Sequence, residues 1–330
     1  YKGVGKSVEI IKKGEKRIIS GLHTFLLRDN KIKLSNGYKG YLHKIPSVKR
    51  QLDALATGLK VYSVSKNNLK TIKIPLPLTI EEQEAIAEVL SDADALIESL
   101  ERLIEKKRAI KRGAMRELLT GRRRLPGFEK KKGYRKTDIG VIPEEWEFEC
   151  LGEVVTIYNG ESPSKFKIDI VGIPYYKVEQ LNDTTKYIDK TPYYINTINA
   201  IKANSIIFPK RGASIYQNKI RILKFESFFD TNLMALSVSS NKLHYEYLFY
   251  TLDYLGLQRV ADTTSVPQIN NKHIIPYIIP IPSLPEQEAI ASVLSDMDAE
   301  IEALGKRLEK LRAVKRGMMA ALLTGKVRLV

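Results

Sequence analysis

Apolar residues recur in steps of four and three from Ile86 through Leu90, Ala93, Ile97, Leu100 and Ile104, then at Ala114 and Leu118, with Lys107 and Lys111 interrupting the stripe. The same rhythm returns at Ile290, Leu294, Met297, Ile301, Leu304, Leu308, Leu311, Met318 and Leu322. A sustained period near 3.5 residues is that of a coiled-coil seam, narrower than the apolar face of an ordinary surface helix. Each stretch therefore predicts one long helix. Pro75 and Pro77 lead into the first, Pro280, Pro282 and Pro285 into the second, and Gly121 and Gly325 follow them, the order expected of start and stop signals. Glu81, Glu82 and Glu84 crowd the first helix start and Arg116, Arg122 and Arg123 its end, as the helix dipole favours. From Ile86 to Leu118 such a helix runs on the order of 50 Å.

The two stretches are copies of each other. Glu82 to Leu125 returns without a gap as Glu286 to Leu329, at a constant offset of 204 residues and with about two-thirds of the positions identical. Glu82-Gln83-Glu84-Ala85-Ile86-Ala87 reappears from Glu286, Lys111-Arg112-Gly113 as Lys315-Arg316-Gly317, and Leu118-Leu119-Thr120-Gly121 as Leu322-Leu323-Thr324-Gly325. An isolated heptad stretch points to oligomerisation. Two copies in one chain can instead satisfy each other's seam, and an antiparallel pair with a pseudo-two-fold axis is the economical arrangement.

The intervening patterns have a shorter period. Val8 to Ile11, Arg17 to Ser20 and Thr24 to Leu27 read as strands with turns at Lys13-Gly14 and Asp29-Asn30, Tyr41 to Leu55 as a helix, Lys60 to Ser65 as a strand and Asn67 to Lys70 as the start of a helical turn. In the second region Glu153 to Tyr158, Pro174 to Val178, Thr191 to Ile195, Ile206 to Pro209 and Ile220 to Leu223 read as strands. His244 to Leu257 then reads as a helix, Thr263 to Asn271 as a polar loop and Ile274 to Ile281 as an extended run. The expected fold is α+β: two mixed α/β domains separated by two long helices that form an antiparallel coiled coil. The expected organisation is a first domain at 1–78, a first helix at 79–121, an exposed basic linker at 122–145 carrying Arg122-Arg123-Arg124 and Lys130-Lys131-Lys132, a second domain at 146–282 and a second helix at 283–330. Residue 1 is Tyr, and by the internal alignment the first domain lacks the counterpart of Gly133 to Lys210, so a missing amino-terminal portion is expected.

Charge changes the picture more than composition does. Lys and Arg exceed Asp and Glu by 54 to 38, a net charge of +16 that suits a polyanionic partner, nucleic acid first. No amphipathic segment with an aromatic face supports a membrane surface, no apolar run approaches a membrane span, and nothing at the start reads as a signal peptide. A soluble, cytoplasmic protein is expected. The single cysteine, Cys150, permits no internal disulfide and reads as a small core residue. His23, His43, His244 and His273 lack metal-ligand spacing.

Catalytic signatures are missing from the sequence. Gly3-Val4-Gly5-Lys6-Ser7 has the end of a phosphate loop without its first glycine, and Thr191-Pro192-Tyr193 and Ile173-Pro174-Tyr175 lack what an adenine methyltransferase loop needs. Polar and basic loops are what the second domain offers. One carries Lys210, Arg211, Ser214, Tyr216, Gln217, Asn218 and Lys219, and another Thr264, Gln268, Asn270, Asn271 and Lys272. Lysine and arginine suit phosphates and guanine, and carboxamides can address adenine through two bonds. The corresponding candidates in the first domain are Lys2, Lys6, Asn67 and Asn68. A solvated turn is the ordinary alternative for any one of them.

The whole plan closely resembles the specificity subunit of type I restriction-modification systems: a variable domain, a Pro-rich lead, a Glu-Gln-Glu-Ala-Ile-Ala helix ending in Leu-Leu-Thr-Gly, then both again, with Gly140 to Trp146 resembling the usual start of a target-recognition domain. The resemblance implies a non-catalytic subunit that reads a bipartite double-stranded DNA sequence. It implies assembly with two methyltransferase subunits and with restriction and translocase subunits, and directed adenine methylation and cleavage. Cofactors are then expected on those partners, S-adenosylmethionine, ATP and magnesium, and none on this chain. The competing readings are an adaptor whose helices tether two proteins without DNA, and a compact nucleic-acid enzyme. Electrophoretic shift with and without a methyltransferase partner, and methyl transfer by the isolated chain, separate them.

Overall fold

The computed structural model describes residues 6–10, 19, 21–28, 34–58, 63–129, 133–137, 140–197, 199–262 and 266–329. The turns at Lys13-Gly14 and Asp29-Asn30, the run Lys130-Lys131-Lys132, and the candidates Lys2 and Thr264 lie outside them, as do most of Arg17 to Ser20 and half of Lys60 to Ser65. The helices are α1 (Pro46–Ala54), α2 (Lys66–Thr71), α3 (Ile80–Leu118), α4 (Leu151–Val154), α5 (Tyr245–Leu255), α6 (Asn271–Ile274) and α7 (Leu284–Leu322). Both long helices, α3 and α7, have 39 residues. The chain forms two compact units, Tyr1–Ile104 with Leu304–Val330, and Glu105–Ala303.

In the first unit the start of α3 meets the end of α7. Ile86, Ala87 and Leu90 share one buried cluster with Leu322 and Leu323, and Tyr38, Tyr41, Ile45, Val48 and Leu52 close over it. In the second unit the end of α3 meets the start of α7: Met115, Leu118 and Leu119 share a cluster with Ile290, Ala291 and Leu294. The long helices thus run antiparallel in both units, as the matched seams predict.

Polar residues repeat as faithfully as apolar ones. Lys315 Nζ bonds Asp94 Oδ1 in the first unit, and Lys111 Nζ bonds Asp298 Oδ1 at 2.6 Å in the second. Each aspartate also accepts a tyrosine hydroxyl, Tyr41 to Asp94 at 2.9 Å and Tyr250 to Asp298 at 2.8 Å. Burial and the acceptor carboxylate push both phenols up. Burial would raise Asp94, but its bonds to Lys315 and Tyr41 outweigh this and hold its carboxyl below the usual carboxylate range. Arg328 grips Glu82 through two bonds in one unit and Arg124 grips Glu286 through two in the other. Gln83 accepts from Ser35 N and donates to Pro77 O, while Gln287 accepts from His244 N and donates to Pro282 O. The repeated Glu-Gln at each helix start therefore ties helix, proline lead and globular part together.

Among its described residues the second unit has thirteen strands: β1 (Tyr134–Thr137), β2 (Gly140–Pro143), β3 (Glu147–Cys150), β4 (Val155–Asn159), β5 (Ile168–Asp169), β6 (Ile173–Tyr176), β7 (Tyr187–Ile188), β8 (Tyr194–Ile195), β9 (Ile206–Pro209), β10 (Arg221–Leu223), β11 (Phe228–Phe229), β12 (Leu233–Val238) and β13 (Ile278–Ile281). A five-stranded sheet has the order β4-β12-β9-β10-β7 and a four-stranded one β11-β6-β8-β5. Side chains alternate across the first sheet with the strand period of two. Ile206, Phe208, Met234 and Leu236 face the cluster shared with α5 and the long helices. Ile207, Leu223, Leu233 and Ala235 face the cluster shared with Tyr175, Tyr176 and Phe229 of the other sheet. Burial on both faces explains why β9 is a continuous apolar run rather than an alternating one.

Several elements differ from expectation. Tyr41 to Leu55 is not one helix but a 3₁₀ turn, Lys39–Lys44, followed by α1. Pro46 opens α1 and holds Ile45 in extended geometry, as a residue before proline prefers. The Ile274 to Ile281 run begins in α6 and becomes extended only at Ile278. Val154 likewise ends a helical turn rather than lying in a strand. Among the described residues, Val8 to Ile10 and Thr24 to Leu27 form no strand; Val8 is 83% and Leu27 73% exposed, and a strand without a pairing edge is not stable alone. Cys150 is half-buried in β3. Arg124 is not an exposed linker charge: only 10% of its side chain is accessible, it also bonds Glu145, and it lies over the Trp146 ring.

Both long helices end on a glycine in the left-handed region, Gly121 at φ +65° and Gly325 at φ +71°. Their surroundings differ. A Cβ on Gly121 would lie 2.5 Å from Pro143 Cδ and Cγ, whereas one on Gly325 would meet open space. Gly325→Ala is expected to cost about 1 kcal/mol of left-handed backbone strain, and Gly121→Ala about 2 kcal/mol more for the overlap, both read from urea unfolding. Equal losses would mean that Pro143 does not abut the helix end.

Candidate nucleic-acid interface

The loop that follows β9 is built against the loop that precedes α6. Lys210 N donates to Asn232 O at 2.8 Å, Ile269 N donates to Lys210 O at 2.8 Å, and Gly212 N donates to Pro267 O at 2.8 Å. Arg211 and Gln268 pair as an antiparallel bridge. Two candidate segments some fifty residues apart thus become one surface. Gly212 makes the turn at φ +80°, and Ala213–Gln217 follows as a 3₁₀ turn.

The side chains divide by what they touch. Arg211, Tyr216, Gln217 and Lys272 are exposed, and Tyr216 retains 55% of its surface, enough for a stacking face. Ser214 Oγ donates to Arg211 O at 3.1 Å. Lys210 Nζ donates to Asn159 Oδ1 at 2.6 Å, and Asn159 Nδ2 donates to Asn271 Oδ1 at 3.0 Å. Partial burial, then neighbouring Arg211, push the Lys210 ammonium below its ordinary value. Lys219 Nζ bonds Asn182 Oδ1, and Asn270 N donates to His273 Nδ1 at 3.1 Å.

Asn218 does a different job. It takes the left-handed conformation at φ +46°, and its Nδ2 donates to Asp253 O and Oδ1 at 2.9 and 3.1 Å. Its Oδ1 accepts from Leu257 N at 3.4 Å. The amide fastens the loop to the end of α5. In the first unit, Lys6 is exposed, Asn67 is exposed on α2, and Asn68 is capped by Ser65 Oγ at 3.1 Å while its Nδ2 donates to Leu55 O at 3.4 Å.

Sequence reasoning missed Asn159, which lies beyond both polar loops at the end of an apolar strand. It also missed the repeated tyrosines. Tyr38 and Tyr41 correspond to Tyr247 and Tyr250 at an offset of 209, and that recurrence was the available signal.

A family model described as the type I restriction modification DNA specificity domain matches residues 9–107 and 143–313. The chain belongs to this family. It is 31% identical over 334 residues to the type I restriction enzyme MjaVIII specificity subunit of Methanocaldococcus jannaschii, covering 96% of this chain and 75% of that one. It is 30% identical over 320 residues to the putative MjaX specificity subunit of the same organism, covering 94% and 72%. The crystal structure of a type I S subunit from M. genitalium has the same fold, with a TM-score of 0.58 and 21% identity, covering 87% of this chain and 72% of that one.

The chain is therefore a type I specificity subunit, a non-catalytic component that recognises DNA within a larger assembly. Among the described residues no helix is long and apolar enough to cross a membrane. For a specificity subunit, a clamp residue and a reading residue should separate experimentally. Asn218→Ala is expected to lower stability by about 1–2 kcal/mol, from left-handed strain and the absent bonds to Asp253, and to leave the recognised sequence unchanged. Thermal unfolding and methylation-site mapping measure the two effects, and an altered sequence at full stability would place Asn218 among the reading residues.

Proposed function

We propose that this specificity subunit reads a bipartite double-stranded DNA target and directs adenine methylation and restriction by partner subunits. Residues 1–78 and 146–282 read one half-site each, the helices of 79–121 and 283–330 set the spacer between them, and 122–145 connects the two plans. Two methyltransferase subunits and the restriction subunits complete the complex in the cytoplasm. S-adenosylmethionine, ATP and magnesium belong to those partners.

The observation that carries this reading is the repetition of the helix-end contacts. Each unit seats its globular part on the same tyrosine, aspartate, lysine, glutamate and glutamine positions, which suits two reading modules mounted alike. In the second module Arg211 and Lys272 suit phosphate contact, with Lys210, Lys219, Ser214, Gln217, Gln268, Asn270 and Asn271 beside them; Lys6, Asn67 and Asn68 are the candidates of the first.

Phosphate contact has a specific signature. Arg211→Ala, Lys272→Ala and Lys219→Ala should each weaken binding to all sequences alike and lower the salt slope by about one for every phosphate no longer neutralised. Unchanged slopes would move the DNA surface elsewhere. The spacer function has another. A heptad inserted after Leu100 and another after Leu304 keeps the seam matched and adds about 10 Å of helix, about three base pairs at 3.4 Å each. Both half-sites should survive while the spacer lengthens, with reduced affinity from the altered helical phase. Methylation-site mapping reads this directly, and an active variant with an unchanged spacer overturns the spacer role.

A further inference from the structure

Asn159 lies at a junction built from three remote segments. It ends β4, an edge strand of the five-stranded sheet, and meets Lys210 at the end of β9 and Asn271 at the start of α6. Its position is held by backbone. Met234 of β12 pairs with Asn159, Glu161 N donates to Phe229 O at 3.0 Å, and a Cβ on Gly160 would lie only 1.9 Å from Asp230 O. Glycine at 160 therefore lets the chain leave β4 in direct contact with the 230 turn, and the side chain before it is aimed by that contact.

The orientation of the Asn159 amide follows from its neighbours. A lysine ammonium only donates, so the carbonyl oxygen must face Lys210 and the NH₂ group Asn271. After these two bonds Asn159 retains one N–H and one carbonyl lone pair by valence. That is the donor and acceptor pair that adenine requires at N7 and N6 in the major groove. Exposed bonds of this kind contribute little to stability, so folding alone does not call for this arrangement. Its preorganisation suits recognition, because a side chain already held in place loses little entropy on binding.

We propose that Asn159 is a specificity-determining residue, reading one adenine of the half-site recognised by the second unit, with Lys210 and Asn271 positioning its amide. The proposal rests on the DNA-reading role of the Lys210 and Gln268 loops argued above. It assigns base readout to a strand end, between loops that supply phosphate contacts.

The test is a competition gel shift with the full chain, assembled with its methyltransferase partner, on its specific duplex. Adenines of the half-sites are replaced one at a time by 7-deazaadenine, which removes the N7 acceptor and leaves pairing intact. At one adenine the wild-type complex should lose about 5- to 30-fold in affinity, the loss of one bond of the pair with its amide donor left unanswered. Asn159→Ala should bind the two duplexes alike at that position and keep its response at every other. Asn159→Asp, which retains the acceptor for Lys210 and removes the N–H donor, should behave in the same way and serves if the alanine variant folds poorly. Both variants keeping the wild-type response at every adenine would overturn the proposal. A wild-type complex that binds its specific duplex but responds at no adenine would overturn it as well, whereas one that binds that duplex no better than an unrelated sequence would defeat the DNA-reading role on which it rests, so the two failures are distinguishable.

Discussion

A lysine in an apolar helix seam is the constraint on which much else depends. Lys111 and Lys315 occupy positions where the heptad pattern asks for an aliphatic residue, and an unpaired ammonium there is costly. Each is answered by an aspartate from the other helix, Asp298 for Lys111 and Asp94 for Lys315. The two numbers in each pair add to the same total, as an antiparallel register requires. Sliding one helix by a heptad would bring Lys111 opposite Ala291 or Gly305, where no carboxylate waits. The pairs thus act as register pins, the best-attested use of a polar residue in such a seam. Because the sequence repeats, one contact entails its mirror: if residue i of the first copy meets j of the second, then j of the first meets i of the second.

The tyrosines carry this constraint into the globular parts. Tyr41 lies in the 3₁₀ turn that leads into α1, and Tyr250 lies on α5, yet both end on the aspartate of a seam pair. In the second unit a further ion pair, Lys186 with Glu246, reaches Ser295 of α7 at 2.7 Å. Asn218 fastens the loop after β9 to Asp253, three residues after Tyr250 on the same helix. A continuous set of bonds therefore runs within this unit from the helix seam through α5 to the edge where Lys210, Arg211 and Asn159 are displayed. Loops held on a scaffold in this way can vary in sequence without loss of the seat beneath them.

Catalysis plays no part in this arrangement. Burial raises the phenols of Tyr38, Tyr41, Tyr187 and Tyr250 and lowers His43, Lys44 and Lys210, while Asp94 and Glu246, against burial, are lowered by the lysines they hold. Tyr38 and Tyr277 are pushed up to about 12 chiefly by burial, and neither faces an acid and base pair of the kind that proton transfer uses. The chemistry offered to a partner is recognition: guanidinium, ammonium, carboxamide and one exposed aromatic on a single edge.

The repeated helices, their antiparallel pairing, their glycine ends and the α+β class are legible in the residues alone, because a seam period and an internal repeat are local, redundant signals that survive any particular packing. So are the loops at 210–219 and 263–272, whose composition is distinctive. Tertiary structure decided the rest. That Arg124 is buried against Glu286 while its neighbours in a basic run are not depends on a carboxylate 162 positions away, and no local pattern encodes that distance. That Asn218 clamps while Asn159 is displayed depends on which carboxamide finds Asp253 and which finds Lys210. A polar side chain's role is set by its partners, and partners remote in sequence are chosen only when the sheet and the helices bring them together.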